Sequence, residues 1–244
     1  MANWSDPRSD IAGFGGATAA RGEAFDAGLR SYMLSVYNYM ASGVLLTGVV
    51  ALLFASSGMA EAVFFGPGIL KYIVMFAPLL FVMVLSFGIN RLSTVAAQGL
   101  FWAYAAVMGV SLSYIFLAYT GTSIAQTFFA TAAAFAGLSL WGYTTKKDLS
   151  GFGTFLIMGV VGLLVASLIN IFMKSNAMSL VISGVGVLLF AGLTAYDTQK
   201  IKSIYAHVAG TDMMGKSVVM GALNLYLDFI NMFMFLLRLF GDRR

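Results

Sequence analysis

No cysteine occurs in the 244 residues of this chain. That excludes disulfides, thiolate metal sites and a cysteine nucleophile, although it does not fix a compartment. Charge is scarce as well: Lys, Arg, Asp and Glu together make up 10% of the residues, against roughly 25% in water-soluble proteins. A soluble globular domain is therefore excluded. The one histidine, His207, is expected in a cytoplasmic loop, where such a residue is usually just solvated despite its capacity to titrate near neutrality. The first thirty residues are rich in Gly and Ala and carry charge but no apolar core. No cleavable signal peptide is visible there, and the first spanning helix is expected to act as the insertion signal.

What the chain does have is apolar length. Hydrophobic residues make up 60%, the mean hydropathy is +0.88, and apolar runs of about twenty residues recur almost throughout, each long enough to cross the hydrocarbon core as a helix. The fold class is an all-α polytopic membrane protein. Spans are expected at 32–55, 70–90, 96–119, 123–143, 152–172, 178–197 and 218–240, with a tail at 1–31 and a short one at 241–244. The longest connection is then Thr198 to Ser217, with Gly210, Thr211 and Asp212 as turn residues, and Pro78 falls inside the second span, where it kinks the helix or frees a carbonyl.

The net charge of +4 and pI near 9.3 come from basic residues scattered singly between apolar runs, which reads as topology and not as a nucleic-acid surface. With the amino terminus inside, Arg8, Arg21, Arg30, Arg91, Lys146, Lys147, Lys200, Lys202 and Lys216 are cytoplasmic, nine in all, against Lys71, Lys174, Arg238, Arg243 and Arg244 opposite, which is five. The positive-inside rule favours a cytoplasmic amino terminus. The basic end GDRR opposes it, so either that end is translocated or one span is re-entrant. Seven full spans is the preferred reading. Small residues at packing spacing, Ala105, Gly109 and Ser113 on the third span and Ala133 and Gly137 on the fourth, are read as packing within the bundle.

Two aspartates stand out. Asp197 closes the apolar run Leu180 to Tyr196, and Asp228 interrupts the run Val218 to Phe240. An ionisable group inside a bilayer costs about 2.5 to 3.5 kcal/mol on insertion scales, which makes it a functional-site hypothesis. Asp228 lies about 15 Å along its helix from Val218, close to mid-membrane. Gly221, Asn224, Asp228, Asn231, Phe235 and Arg238 recur at spacings of three and four, so they form one stripe that should face other helices or a cavity. Asn224 and Asn231 are read first as interhelical hydrogen-bonding glue. Arg238, about 15 Å beyond Asp228, is too far to pair with it and is expected to snorkel to headgroups. The expected topology brings Asp197, Asp228 and Arg91 to the cytoplasmic half of one bundle. For Asp197 and Arg91 the competing reading is solvated helix-end charge.

The strings AYDTQKIK and LYLDFINMFMFLLRLFG resemble the carboxyl-terminal signature of the transmembrane Bax inhibitor motif family, most like its bacterial members, and KKDLS at Lys146 to Ser150 is similar to the family's segment between helices four and five. The likeness is specific in about the last hundred residues and rests on span count before that. It implies a seven-helix bundle whose last helix is surrounded by the other six. It also implies that Asp197 and Asp228 form a pH-sensing dyad in a passive calcium leak, with Arg91, in the string FGINRLS, as the candidate latch to Asp197. A bacterial inner membrane is the implied location.

The chemistry accommodates this. Two neighbouring carboxyls do not ionise independently and titrate as a pair. A shared proton holds the sixth and seventh helices together, and its loss adds repulsion or admits a cation. Oxygen donors suit Ca²⁺, with Asn231 or backbone carbonyls assisting, and two carboxylates fit weak binding better than storage. Calcium is then cargo, and the expected partners are the lipid bilayer and calcium ions, with no cofactor and no nucleic acid. The chain is not expected to be an enzyme. An intramembrane aspartyl protease should have Gly-x-Gly before its second aspartate, but the string is Tyr226-Leu227-Asp228; a retinal pump needs a lysine in the last span, where there is none. The serious alternative is a non-conducting regulator of a membrane-embedded protease or of stress and cell death, acting through Ala2 to Arg30 or Lys200 to Lys216.

Overall fold

The computed structural model describes the backbone from Arg8 and the side chains from Gly22 to the carboxyl terminus. Earlier residues, including the side chains of Arg8 and Arg21 and most of the proposed regulatory stretch from Ala2, lie outside the described part. Among the described residues nine helices follow in order: α1 Arg8–Ser56, α2 Met59–Phe65, α3 Leu70–Gly88, α4 Thr94–Leu112, α5 Ile115–Ala118, α6 Gly121–Thr144, α7 Ser150–Met173, α8 Asn176–Val208 and α9 Met213–Phe240. Seven spans among the described residues are long and apolar enough to cross a membrane, with α4 and α5 together forming the third.

The boundaries have local causes. Ser93, Thr120 and Ser175 cap α4, α6 and α8 by accepting from the backbone N–H three residues on, which satisfies an otherwise orphaned donor. Gly58 and Gly210 take positive φ of 76° and 74°, the left-handed conformation that glycine adopts without a Cβ penalty. Gly66-Pro67-Gly68 follows α2, where proline cannot continue a hydrogen-bonded ladder.

Two expectations change. The segment Thr198 to Ser217 is not a long connection: α8 continues to Val208, and only Ala209 to Asp212 separate it from α9. His207 accordingly sits in the last turn of a helix, exposed, rather than in a loop. At 33 residues α8 is about 50 Å long, well beyond the ~30 Å hydrocarbon core, so its end stands clear of the membrane. It is held there by packing. Ile201 and Tyr205 are buried, and Tyr205 lies against the rings of Phe25 and Tyr32 with centroids 5.1 and 5.3 Å away. Gln199 also closes the α6–α7 turn, accepting from Leu149 N–H at 2.8 Å and donating to the Lys147 carbonyl at 2.8 Å. The second change is that the third span breaks at Ser113, whose hydroxyl donates to the Val110 carbonyl at 2.7 Å. Pro78, by contrast, sits inside an uninterrupted α3.

The last helix is the central one. In its apolar window 67% of residues are buried, whereas only 11% are in α3 and α7. Between Met214 and Leu237 no residue of α9 is exposed. It packs on α8, α1, α6 and α4, while α3 leans on α4 and α7 on α8 as an outer layer. That outer layer is apolar outward, with Phe76, Leu80, Phe172 and Leu168 exposed, as a lipid-facing surface should be.

Small residues set the closest approaches. A Cβ at Gly109 would lie 2.7 Å from the Thr47 carbonyl oxygen, so α4 and α1 meet backbone to backbone as the Ala105–Gly109–Ser113 row implied. The other row differs. Ala133 and Gly137 are exposed, and a Cβ at Gly137 would meet nothing within 4 Å, because α6 turns that stripe to the outside. Its close approach is made instead by Gly142, against the backbone of Ala195 in α8.

Candidate functional site

The α8–α9 pair builds the site. These helices run antiparallel through a short turn, and their register follows from two contacts: Gly186 faces Phe235, and Ile201 faces Gly221. Asp228 is therefore level with a residue about one turn before Asp197, and Asn224 is level with Asp197 itself. Side chains on a helix lean toward its amino terminus. On antiparallel helices with this offset, the two carboxyls lean toward each other. They come within hydrogen-bonding reach.

Successive residues advance by about 100° around a helix, and each neighbour of the pair finds a different partner. Tyr196 lies against Gly153 of α7, Asp197 turns to α9, and Thr198 meets Ser139 of α6 at 2.8 Å. On α9, Tyr226 reaches Thr47 of α1 at 2.6 Å, Asp228 turns to α8, and Phe229 lies between Phe128 and Phe135 of α6, each at 5.6 Å. The two aspartates are thus aimed by neighbours that fix the rotation of both helices.

Asp228 is 4% exposed, near the midpoint of a helix about 42 Å long. Its Oδ2 is fully enclosed and has no hydrogen-bond partner among the described residues. A buried acceptor left unmade costs about 1–3 kcal/mol, more for a charged group, and a fold retains such a group only for a reason. Asp197 is half-buried at the end of the apolar part of α8. The cation whose charge bears on it is Lys200, three residues on, which also lies over the Tyr196 ring at 5.9 Å.

The other expected residues fall as follows. Arg91 is exposed in the turn between α3 and α4, and among the described residues it makes no ion pair with either aspartate. Asn231 donates to the Leu227 carbonyl of its own helix at 2.8 Å, so that bond is not interhelical glue. Asn224 is half-buried. Arg238 is exposed near the far end of α9, over the Phe235 ring at 5.8 Å. Among the described residues no group of three or more Asp, Glu, His or Cys could hold a metal ion. The pair by itself is a donor set of two carboxyls, fewer than the roughly six to eight oxygens that a resident calcium ion takes.

Sequence reasoning missed the hydroxyls around the pair. Thr198 Oγ1 donates to the Thr194 carbonyl at 2.7 Å, so its single proton is committed, and Ser139 must donate to Thr198. Tyr37 in turn donates to Ser139 at 2.7 Å. A directed chain Tyr37–Ser139–Thr198 thus links α1, α6 and α8 beside Asp197. The only signal was one hydroxyl residue per helix, which has no period.

An α-helical membrane bundle with an aspartate enclosed on its central helix and a second leaning onto it defines the class: a polytopic membrane protein with an intramembrane acid pair. The chain belongs to the family described as "Inhibitor of apoptosis-promoting Bax1", whose profile matches residues 29–244. It is 48% identical to a protein of Rickettsia prowazekii over 93% of this chain and 96% of the relative. It is 46% identical to the inner membrane protein YbhL of Escherichia coli K12, over 89% of this chain and 94% of that one. A Caulobacter vibrioides protein matches at 46% identity over 90% and 91% of the two chains. The chain is an integral membrane protein, and its relative in E. coli is named for the inner membrane.

Proposed function

We propose that this protein is a passive, pH-sensitive cation leak, permeable to calcium, in which Asp197 and Asp228 form the gate. The observation that carries the reading is the enclosed Asp228 oxygen without a partner beside a second carboxyl in hydrogen-bonding reach. A hydrogen bond between two carboxyls requires a proton between them. With it, α8 and α9 are joined at mid-membrane. Without it, two like charges repel, by about 4 kcal/mol for a separation of 4 Å at an effective dielectric of 20. The pair then separates the helices or takes up a cation. Beyond Asp228 the buried face of α9 is Phe229, Ile230, Met232, Phe233 and Leu237, an apolar constriction that shuts the path while the bundle stays closed.

The experiment is calcium entry into dye-loaded liposomes containing the purified protein, across about pH 6 to 8, beside Asp197→Asn and Asp228→Asn. The expected result is flux that changes with pH in the wild type and loses that dependence in either variant. Flux no greater than in empty liposomes, with folded protein, would sink the leak and favour the non-conducting regulator. A pH profile in Asp228→Asn that matches the wild type would remove the acid pair from the gate.

A further inference from the structure

Arg30 on α1 and Tyr143 at the end of α6 flank the mouth of a groove of about 810 Å³ on the outside of the bundle, within the size range of ligand sites. Its walls are α1 and α6, and its floor is Phe229 of the central helix. The groove opens sideways where lipid lies, since Leu34, Leu45 and Leu140 along it are 51, 69 and 64% exposed.

Its polarity is graded. Arg30, Tyr143 and the Tyr37–Ser139 hydrogen bond are gathered toward one end, while Ala132, Ala136, Val44 and Phe128 make the remainder apolar. Arg30 to Leu45 spans about 22 Å at 1.5 Å per residue. Half a bilayer, headgroups included, is about 20–22 Å. The groove is thus as long as one leaflet is thick, with its cation at headgroup depth and its apolar end near the midplane. Arg30 is the cation among the lining residues, because nearby Lys202 is engaged by the Tyr143 carbonyl at 2.8 Å and lies over the Tyr143 ring at 4.8 Å.

We propose that this groove seats one anionic phospholipid from the leaflet on the Arg30 side, with the phosphate on Arg30 and an acyl chain along Ala136 and Ala132 toward Phe128. An amphiphile with one charged end matches a groove with one charged end. A helix from a second copy would instead need apolar or small-residue contact along the full length. The site does not depend on ion conduction, and its test does not read flux.

The test uses the full chain, reconstituted with equal phosphatidylglycerol and phosphatidylcholine of identical acyl chains, then released into detergent for native mass spectrometry. The wild type should retain one phosphatidylglycerol per chain, about fivefold over phosphatidylcholine, the ratio one basic group at the membrane surface supports. Arg30→Gln should bring that ratio to about one. Ala136→Trp, and independently Ala132→Phe, should fill the groove and remove the retained lipid at an unchanged unfolding midpoint. Gly137→Ala, on the outward stripe, should behave as wild type. Equal retention of the two lipids by the wild type, or retention unaffected by both filling variants, overturns the proposal. So does a dimer that those variants abolish while lipid retention is unchanged, since the groove is then a seat for a second copy.

Discussion

The hydroxyl of Tyr226 on the central helix meets the hydroxyl of Thr47 on α1 at 2.6 Å, and their proton order is fixed. Thr47 Oγ1 also lies 2.8 Å from the Ala105 carbonyl, which can only accept. Thr47 spends its one proton there, so Tyr226 donates to Thr47. One side chain thereby joins α1, α4 and α9, two residues from Asp228. Tyr104, whose ring centroid is 5.2 Å from that of Tyr226, has its own hydroxyl buried without a partner among the described residues.

That order predicts unequal costs. Tyr226→Phe removes one donor and leaves Thr47 still bonded to Ala105, a loss of about 0.6 kcal/mol and at most about 1.7 for a membrane hydrogen bond. Thr47→Val leaves the Ala105 carbonyl its bond within α4 but strands the buried Tyr226 hydroxyl, so it should cost more, about 1–3 kcal/mol. Denaturant unfolding in detergent micelles measures both. Equal losses would show that the two bonds do not form one unit.

Close helix approach makes a second contrast. A Cβ at Gly142 would lie 2.9 Å from the Ala195 Cα and nearer still to its carbonyl oxygen, atoms that cannot rotate away. Gly142→Ala must therefore push α6 from α8, at about 1–3 kcal/mol for overpacking. Gly137→Ala has open space and should be neutral or slightly stabilising, since alanine loses less backbone freedom in a helix. Unfolding midpoints for the two variants decide this, and a neutral Gly142→Ala would mean the helices are looser than the structure has them.

These residues also show what a linear reading can and cannot see. Span number and order were legible because twenty apolar residues have no other stable disposition in lipid. The central place of α9 was legible from its polar stripe, since Asn224, Asp228 and Asn231 cannot face lipid. The overrun of α8 was not, because a polar run after a span reads equally as loop. Its buried stripe, Thr198, Ile201 and Tyr205, is spaced three and four apart but is too short to stand out among Lys200, Lys202 and Ser203. The small-residue rows share one spacing, yet one faces α1 and the other faces outward. Spacing fixes a stripe, and only packing tells which way it points.

Outside the membrane, Asp148 offers a pH-dependent contact at the start of α7. Its Oδ1 accepts from the Ser150 N–H at 2.9 Å. The Ser150 side chain first, and its backbone N–H second, hold the exposed carboxyl below its ordinary value of 3.8. A depressed value means the ionised form is the one the fold favours. The contact is therefore intact above the ordinary value and is lost as pH falls through the lowered one. Ser150→Ala should move the Asp148 carboxyl resonance midpoint in an NMR titration part of the way back toward 3.8, leaving the backbone contribution. An unmoved midpoint would mean the hydroxyl does not reach the carboxylate.

The carboxyl end shows which way the last span runs. Thr120 N–H donates to the Asp242 carbonyl at 3.0 Å, Arg244 N–H donates to the Ala118 carbonyl at 3.1 Å, and Tyr119 pairs with Arg243 in an antiparallel bridge. Gly241 to Arg244 are thus strapped to the α5–α6 turn, which lies at the opposite end of the bundle from the α8–α9 turn. A re-entrant α9 would have put them at the same end as Thr211. Because the chain has no cysteine, single introduced thiols report without background. Ser57→Cys and Arg244→Cys, both at exposed positions, should react with an impermeant maleimide from the same side of the membrane. Thr211→Cys should react only from the other, which the positive-inside rule makes the cytoplasm. Labelling of Arg244→Cys together with Thr211→Cys would mean that the basic end is retained inside and that α9 does not cross.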